Sequence, residues 1–192
     1  MPTTLPAPPA RRPVVPNSVL GMLLFVVPET LFFVGMISAF TISKAGAPAG
    51  SWPVPGQPLL PAASTAVNTA ALVLSGLLLL GAQVLYARKS PHAKWLVAAS
   101  FVLGLGFVGL QGKEWADLLS QGLTLTSSRL GSFFYFIVGT HALHAVAALF
   151  ALGLLAVQFL RDRVDTGLFY AAQTFWYFVV LMWPVIYVRV YF

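Results

Sequence analysis

The sequence predicts an all-α integral membrane protein, a bundle of about five transmembrane helices. Two observations predict it. Apolar residues make up 58% of the 192 and charged residues only 8%, against about 25% charged in soluble domains. The apolar residues also gather in runs close to the ~20 residues that a helix needs to cross ~30 Å of hydrocarbon. Alternation of apolar and polar residues is absent, which argues against a membrane β-barrel.

Residues 1–18 carry Pro2, Pro6, Pro8, Pro9, Pro13 and Pro16 together with Arg11 and Arg12. Proline blocks helix, and this stretch has little to bury, so an extended N-terminal tail is expected. A cleaved signal peptide is the alternative. The apolar run after the arginines, however, continues from Val19 to Ile42, longer than a hydrophobic signal core of about 7–15 residues, and so reads as a retained helix. The remaining helices are expected over 66–87, 95–119, 130–160 and 166–188, parted by polar or Pro/Gly-rich links that stop helices. Residues 19–192 form one transmembrane domain on this reading.

The formal charge is +6, but the Lys and Arg residues are scattered between apolar runs instead of collecting on one face. Nucleic acid is therefore not an expected partner. Arg11, Arg12, Arg88, Lys89, Lys94, Arg161 and Arg163 fall on one side of the predicted bundle, and Lys44, Lys113, Arg129 and Arg189 on the other. The excess of positive charge places the N-terminus in the cytoplasm and the C-terminus outside. With no cysteine, the chain has no disulfide, thiolate metal site, iron-sulfur cluster or C-x-x-C-H haem attachment.

Several polar residues interrupt the apolar runs. Glu29 lies near the middle of the first helix, just after Pro28, at an expected depth of ~15 Å. It reads either as a proton-handling or lipid-contacting group, or as a protonated carboxyl that fixes packing. His141 and His144 share one face of the fourth helix, and a Glu29–His141 hydrogen bond or ion pair is expected. A metal reading of His-x-x-His is disfavoured: di-metal bundles add Glu ligands from other helices that this chain lacks. Three histidines in all are also too few for a haem-copper centre. Gln111 and Glu114, with Lys113, Asp117 and Arg129 nearby, suggest an ion-pair cluster at the outer interface. Gly104, Gly106, Gly109 and Gly112 lie within the third helix, where small residues let a neighbouring backbone approach; with no strand-to-helix turn they do not cradle a phosphate. Asn68 and Ser75 share a face of the second helix and are placed to bond across to a neighbour. Trp52, Trp95, Trp183 and Tyr191 suit anchoring at the membrane interface.

Taken in order, Gly21-Met22-Leu23-Leu24-Phe25, Glu29 with Leu31-Phe32-Phe33, Trp52-Pro53, Asn68-Thr69, Ser75, Gln111 and Glu114 resemble the subunit III family of cytochrome c oxidases. The resemblance continues through Gly131-Ser132-Phe133-Phe134 and Gly139-Thr140-His141-Ala142-Leu143-His144. It ends with Trp176, Phe178-Val179, Trp183, Tyr187 and Tyr191. The family commonly has seven helices, and this chain is similar to the short bacterial forms that carry the last five. Its final helix usually reads Trp-His-Phe-Val-Asp; here it reads Trp176-Tyr177-Phe178-Val179-Val180, without the His and the Asp.

The resemblance implies a subunit without redox centres, in a bacterial cytoplasmic membrane, packed against subunit I in a complex that also holds subunit II. Haem and copper would reside in those partner chains, while this one binds phospholipid and supports proton uptake and sustained turnover in aerobic respiration. Glu29 would be the family's buried carboxylate, with His141 and His144 its paired histidines. Asn68, Gln111 and Glu114 would complete the polar set, and Trp176, Tyr177 and Trp183 would serve partner or packing contacts. The accessory subunit of nitric oxide reductases, similar in fold, is the alternative. From another class comes a small proton-coupled transporter using Glu29 and His141 as a relay. That reading calls for inverted repeats and broken helices at matching positions; the sequence shows no internal repeat, and Pro28 and Pro184 occupy different relative positions.

Overall fold

In lipid no solvent water is at hand to satisfy a free backbone N–H or C=O, so an apolar run of this length closes its hydrogen bonds within itself as a helix. The computed structural model describes residues 16–48, 50–52 and 55–192. It contains five helices: α1 (Asn17–Ala45), α2 (Ala62–Ala87), α3 (Ala93–Ser120), α4 (Arg129–Leu160) and α5 (Thr166–Tyr191). All five are long and apolar enough to cross a membrane. The Pro-rich tail through residue 15, its arginine pair, and Pro53 lie outside the described residues.

The helix boundaries differ from expectation at the ends. Helix α1 begins at Asn17 rather than Val19 and runs unbroken through Pro28. Helix α2 begins four residues early, directly after Pro61, because polar Ser64 and Thr65 find helical and cross-helix partners instead of water. Three helices close with the same motif. After α2 the N–H of Ser90 bonds Leu85 O and that of Lys89 bonds Tyr86 O; after α3 the pairs are Leu123–Leu118 and Gly122–Leu119; after α4 they are Arg163–Gln158 and Asp162–Phe159. Each needs one residue in the left-handed region, supplied by Gly122 (φ 89°), Lys89 (φ 55°) and Asp162 (φ 52°). At the other ends, Ser128 caps α4 through Gly131 N, and Asp165 caps α5 through Gly167 N and Leu168 N, each satisfying an orphan donor.

Helices α2, α3, α4 and α5 form a ring in which each touches the next, and α1 lies outside it against α4 and α5. Burial follows this order: 56% of the apolar window of α5 is buried, but only 11% of that of α1. A broad face of α1 with Leu24, Val27, Leu31 and Ile42 is exposed, as suits a helix bordered by lipid or by another chain.

Of the four glycines in α3, only Gly104 serves a close helix approach. A Cβ there would stand 2.7 Å from Trp176 Cη2 and 2.9 Å from Leu149 Cδ1, whereas one at Gly106, Gly109 or Gly112 would meet nothing within 4 Å. Those three make no close helix approach, which corrects the reading of the whole run as a packing stripe. Gly76 on α2 does the same work against Val180 of α5, at 2.9 Å.

Two predictions follow from this packing. Gly104→Ala should destabilise the bundle by about 1–3 kcal/mol, the usual cost of overpacking, while Gly109→Ala should be neutral; reversible unfolding in detergent measures both. Asp162→Gly, which removes a left-handed non-glycine residue, should stabilise by about 1 kcal/mol in the same assay.

Candidate functional site

Glu29 of α1 reaches the ring at α4. Its Oε2 lies 3.2 Å from Nε2 of His144, not from His141 as expected. The reason is rotational: positions three apart on a helix differ in direction by ~60°. His144 therefore faces α1, while His141 turns inward against Trp183 of α5 (ring centroids 5.0 Å apart) and Phe107 of α3. His144 is enclosed by Phe25, Phe33, Phe175 and Phe178, with ring centroids 5.6 to 6.3 Å away. The carboxyl side chain retains 27% exposure against 11% for the imidazole, so the pair sits at the seam where α1 meets the outer surface.

Hydrogen-bond geometry places one ring hydrogen of His144. Nδ1 of His144 lies 2.8 Å from Thr140 O, and a carbonyl only accepts, so Nδ1 carries a hydrogen. Nε2 then faces the Glu29 carboxyl at 3.2 Å. One proton between the two groups would make the pair neutral overall, the condition under which an ionisable pair tolerates hydrocarbon.

A second polar cluster closes the end of the bundle where α2 and α5 meet α3. Glu114 accepts from Ser64 Oγ (2.7 Å), Thr65 Oγ1 (2.8 Å) and Gln111 Nε2 (3.2 Å). Gln111 Nε2 also lies 3.2 Å from Tyr191 Oη, and its Oε1 accepts from Asn68 Nδ2, which is shared with Phe107 O. The expected ion-pair cluster is thus corrected: Lys113 pairs with Asp117 at 2.7 Å on the exposed face, but Glu114 turns inward to hydroxyl and amide donors. Among the described residues Arg129 joins no ion pair. A cavity of about 640 Å³ opens beside this cluster between α2 and α3, lined by Asn68, Glu114 and Lys113 among others.

Nearer the middle, Ser75 and Ser100 each donate to the other's backbone carbonyl at 2.8 Å, and Ser75 Oγ accepts from Trp176 Nε1 at 3.0 Å. Trp183 is fully buried, its Nε1 donating to Thr69 Oγ1 at 2.9 Å. Tyr191 is engaged with Gln111, and Trp52 packs edge-on against Phe40. Of the four expected interfacial anchors only Trp95, 61% exposed, faces outward. Trp176 and Trp183, both without exposed surface, are internal packing residues and offer nothing to a partner.

Sequence reasoning missed Ser100, Thr65 and the bridge formed by Gln173 Nε2 to Gln83 Oε1 (2.8 Å) and Tyr177 Oη (2.7 Å). A signal existed: Gln173 and Tyr177 stand four apart, and polar residues recur along α2 at 68, 75 and 83. Among the described residues no three His, Asp or Glu side chains gather as metal ligands.

The arrangement is thus a helical membrane bundle with a Glu–His pair at its surface and polar cross-links inside. The family model of cytochrome c oxidase subunit III matches residues 12–192. The chain belongs to the cytochrome c oxidase subunit III family. It is 31% identical over 189 residues to the probable cytochrome c oxidase subunit 3 of Mycobacterium tuberculosis, covering 92% of this chain and 89% of that protein. It is 31% identical over 187 residues to cytochrome c oxidase subunit 3 of Pyricularia grisea, covering 90% of this chain but 66% of that protein, just under two thirds. The pig (Sus scrofa) subunit 3 is 31% identical over 179 residues, 89% of this chain and 67% of its own length. The bundle of this subunit III family member is therefore close in extent to the mycobacterial relative and shorter than the fungal and mammalian ones.

The pair predicts a graded response. Glu29→Gln keeps a donor for Nε2 and should unfold within about 1 kcal/mol of the parent, whereas Glu29→Ala leaves the buried imidazole unpartnered and should cost about 1–3 kcal/mol. Adding His144→Phe to Glu29→Ala should restore part of that loss in the same unfolding assay.

Proposed function

We propose that the chain is the non-catalytic third subunit of a haem-copper terminal oxidase in a bacterial cytoplasmic membrane. It packs on subunit I, in a complex with subunit II, with its N-terminus on the cytoplasmic side. Electrons and dioxygen are handled on haem and copper in the partner chains. This chain contributes a lipid-bordered bundle that supports proton uptake and sustained turnover. The observation that carries the reading is the match to the subunit III family across residues 12–192. The Glu29–His144 contact supports it: a carboxyl 3.2 Å from an imidazole at a partly open seam suits a role in the proton economy of an adjoining enzyme. Glu29, His144 and His141 are its central polar residues, and Asn68, Gln111 and Glu114 form a second station toward the outer end.

The orientation rests on the positive-inside rule. The α2–α3 and α4–α5 links, with Arg88, Lys89, Arg161 and Arg163, lie at the end of the bundle from which α1 starts. Phospholipid is the natural neighbour of the exposed apolar face of α1.

Mild-detergent purification of the complex tests the assignment. Haem-bearing chains should accompany this one and carry all of the haem spectrum; recovery of the chain alone, or transport by it in vesicles, would overturn the reading. In such a complex Glu29→Gln should leave the haem spectrum intact while changing the rate or endurance of turnover. Unchanged kinetics would restrict Glu29 to packing.

A further inference from the structure

We propose that His141 and Gln111 hold internal water in a site between α3, α4 and α5. His141 is only 1% exposed, and neither of its ring nitrogens has a protein partner. A neutral imidazole carries one N–H and one lone pair, and burying them unpaired costs free energy for each. The neighbouring rings answer only half of that need. Phe33 and Phe107 stand edge-on or T-shaped to the imidazole, so an aromatic face can receive the N–H, but no ring supplies a hydrogen to the lone pair. Of the other N–H groups lining the cavity, that of Trp183 goes to Thr69, the amide hydrogens of Gln111 go to Glu114 and Tyr191, and that of Trp115 makes no bond to the imidazole.

The remaining route is a small molecule that donates twice. A cavity of about 100 Å³ lies beside the imidazole, lined by Gln111, Trp115, Val138, His141, Ala145 and Trp183 among others. That is room for at least one water, which requires two to four polar partners to be retained. One water donates to the imidazole lone pair and to Gln111 Oε1, which has a second lone pair beyond the one taken by Asn68 Nδ2. Water in this place joins His141 to the Gln111–Glu114–Tyr191 cluster. The outer polar cluster then extends by hydrogen bonds to the level of the histidines on α4. The inference uses the cavity and the imidazole alone and is independent of the oxidase assignment.

The test is a substitution cycle in the intact complex. Ala145→Val, one turn from His141 on the same face of α4, fills the cavity and expels water. It should lower the thermal midpoint of the parent, because the imidazole is left unpaired, yet be neutral or raise the midpoint beside His141→Phe, where no polar group remains to be hydrated. An equal shift in both backgrounds would overturn the proposal. If His141→Phe fails to assemble, a density map of the parent complex at a resolution that shows ordered water decides: density between His141 and Gln111 supports the site, and a dry cavity refutes it.

Discussion

The bundle depends on the insertion of one indole. Helices in lipid are not driven together by the hydrophobic effect, since the surrounding chains are as apolar as leucine; close packing and interhelical hydrogen bonds must hold them. Trp176 supplies both. Its ring lies over Gly104, where no side chain intervenes, and its N–H is received by Ser75, which is itself locked to Ser100 by reciprocal bonds. Three helices of the ring thus meet at one fully satisfied point. The donors and acceptors there account for one another completely, so the site fixes register as well as distance. Trp183 repeats the device two turns along α5, through Thr69.

That rigid ring makes the Glu29–His144 pair possible. Of the other helices, α1 touches only α4 and α5, and by itself would give its carboxyl no partner. The aromatic wall of Phe33, Phe175 and Phe178 holds the imidazole in one orientation, and Thr140 fixes which nitrogen faces outward. The result is an acceptor for the carboxyl proton that does not have to be assembled from solvent. A proton shared by the two groups would keep the pair neutral in either arrangement, so that its movement would change the local dipole without leaving a bare charge in the membrane.

Helix number and approximate span were legible in the sequence, because run length and hydropathy are set directly by the thickness of the bilayer. Asn68, Ser75, Glu29 and His144 were legible as polar residues in apolar surroundings. Which histidine meets Glu29 was not: a rotation of ~60° on α4 separates the two choices, and it is set by how α1 docks, which no local pattern encodes. The inward turn of Glu114 was hidden for a related reason. Lys113 and Asp117 offered it plausible charged neighbours in sequence, whereas its real partners, Ser64 and Thr65, come from another helix some fifty positions away. The left-handed closures at Lys89 and Asp162 lack the glycine that marks the one at Gly122.

The departure from the family pattern in α5 has a physical counterpart in α2. Where members commonly carry an Asp, Val180 is buried and packs directly on Gly76, so close that a methyl group there would overlap it. A carboxylate in that contact would be buried against the α2 backbone, and the cost of a buried charge left unpaired is severe. The valine makes the same interface a dry one. Tyr177, in place of the family's His, keeps a polar atom at its position but ties it inward through Gln173 to Gln83. Both changes act on the α2–α5 contact, and both trade titratable groups for fixed packing or neutral hydrogen bonds. Among the described residues the carboxyl and imidazole groups enclosed within the apolar spans are thereby concentrated in the Glu29–His144 pair, His141 and Glu114.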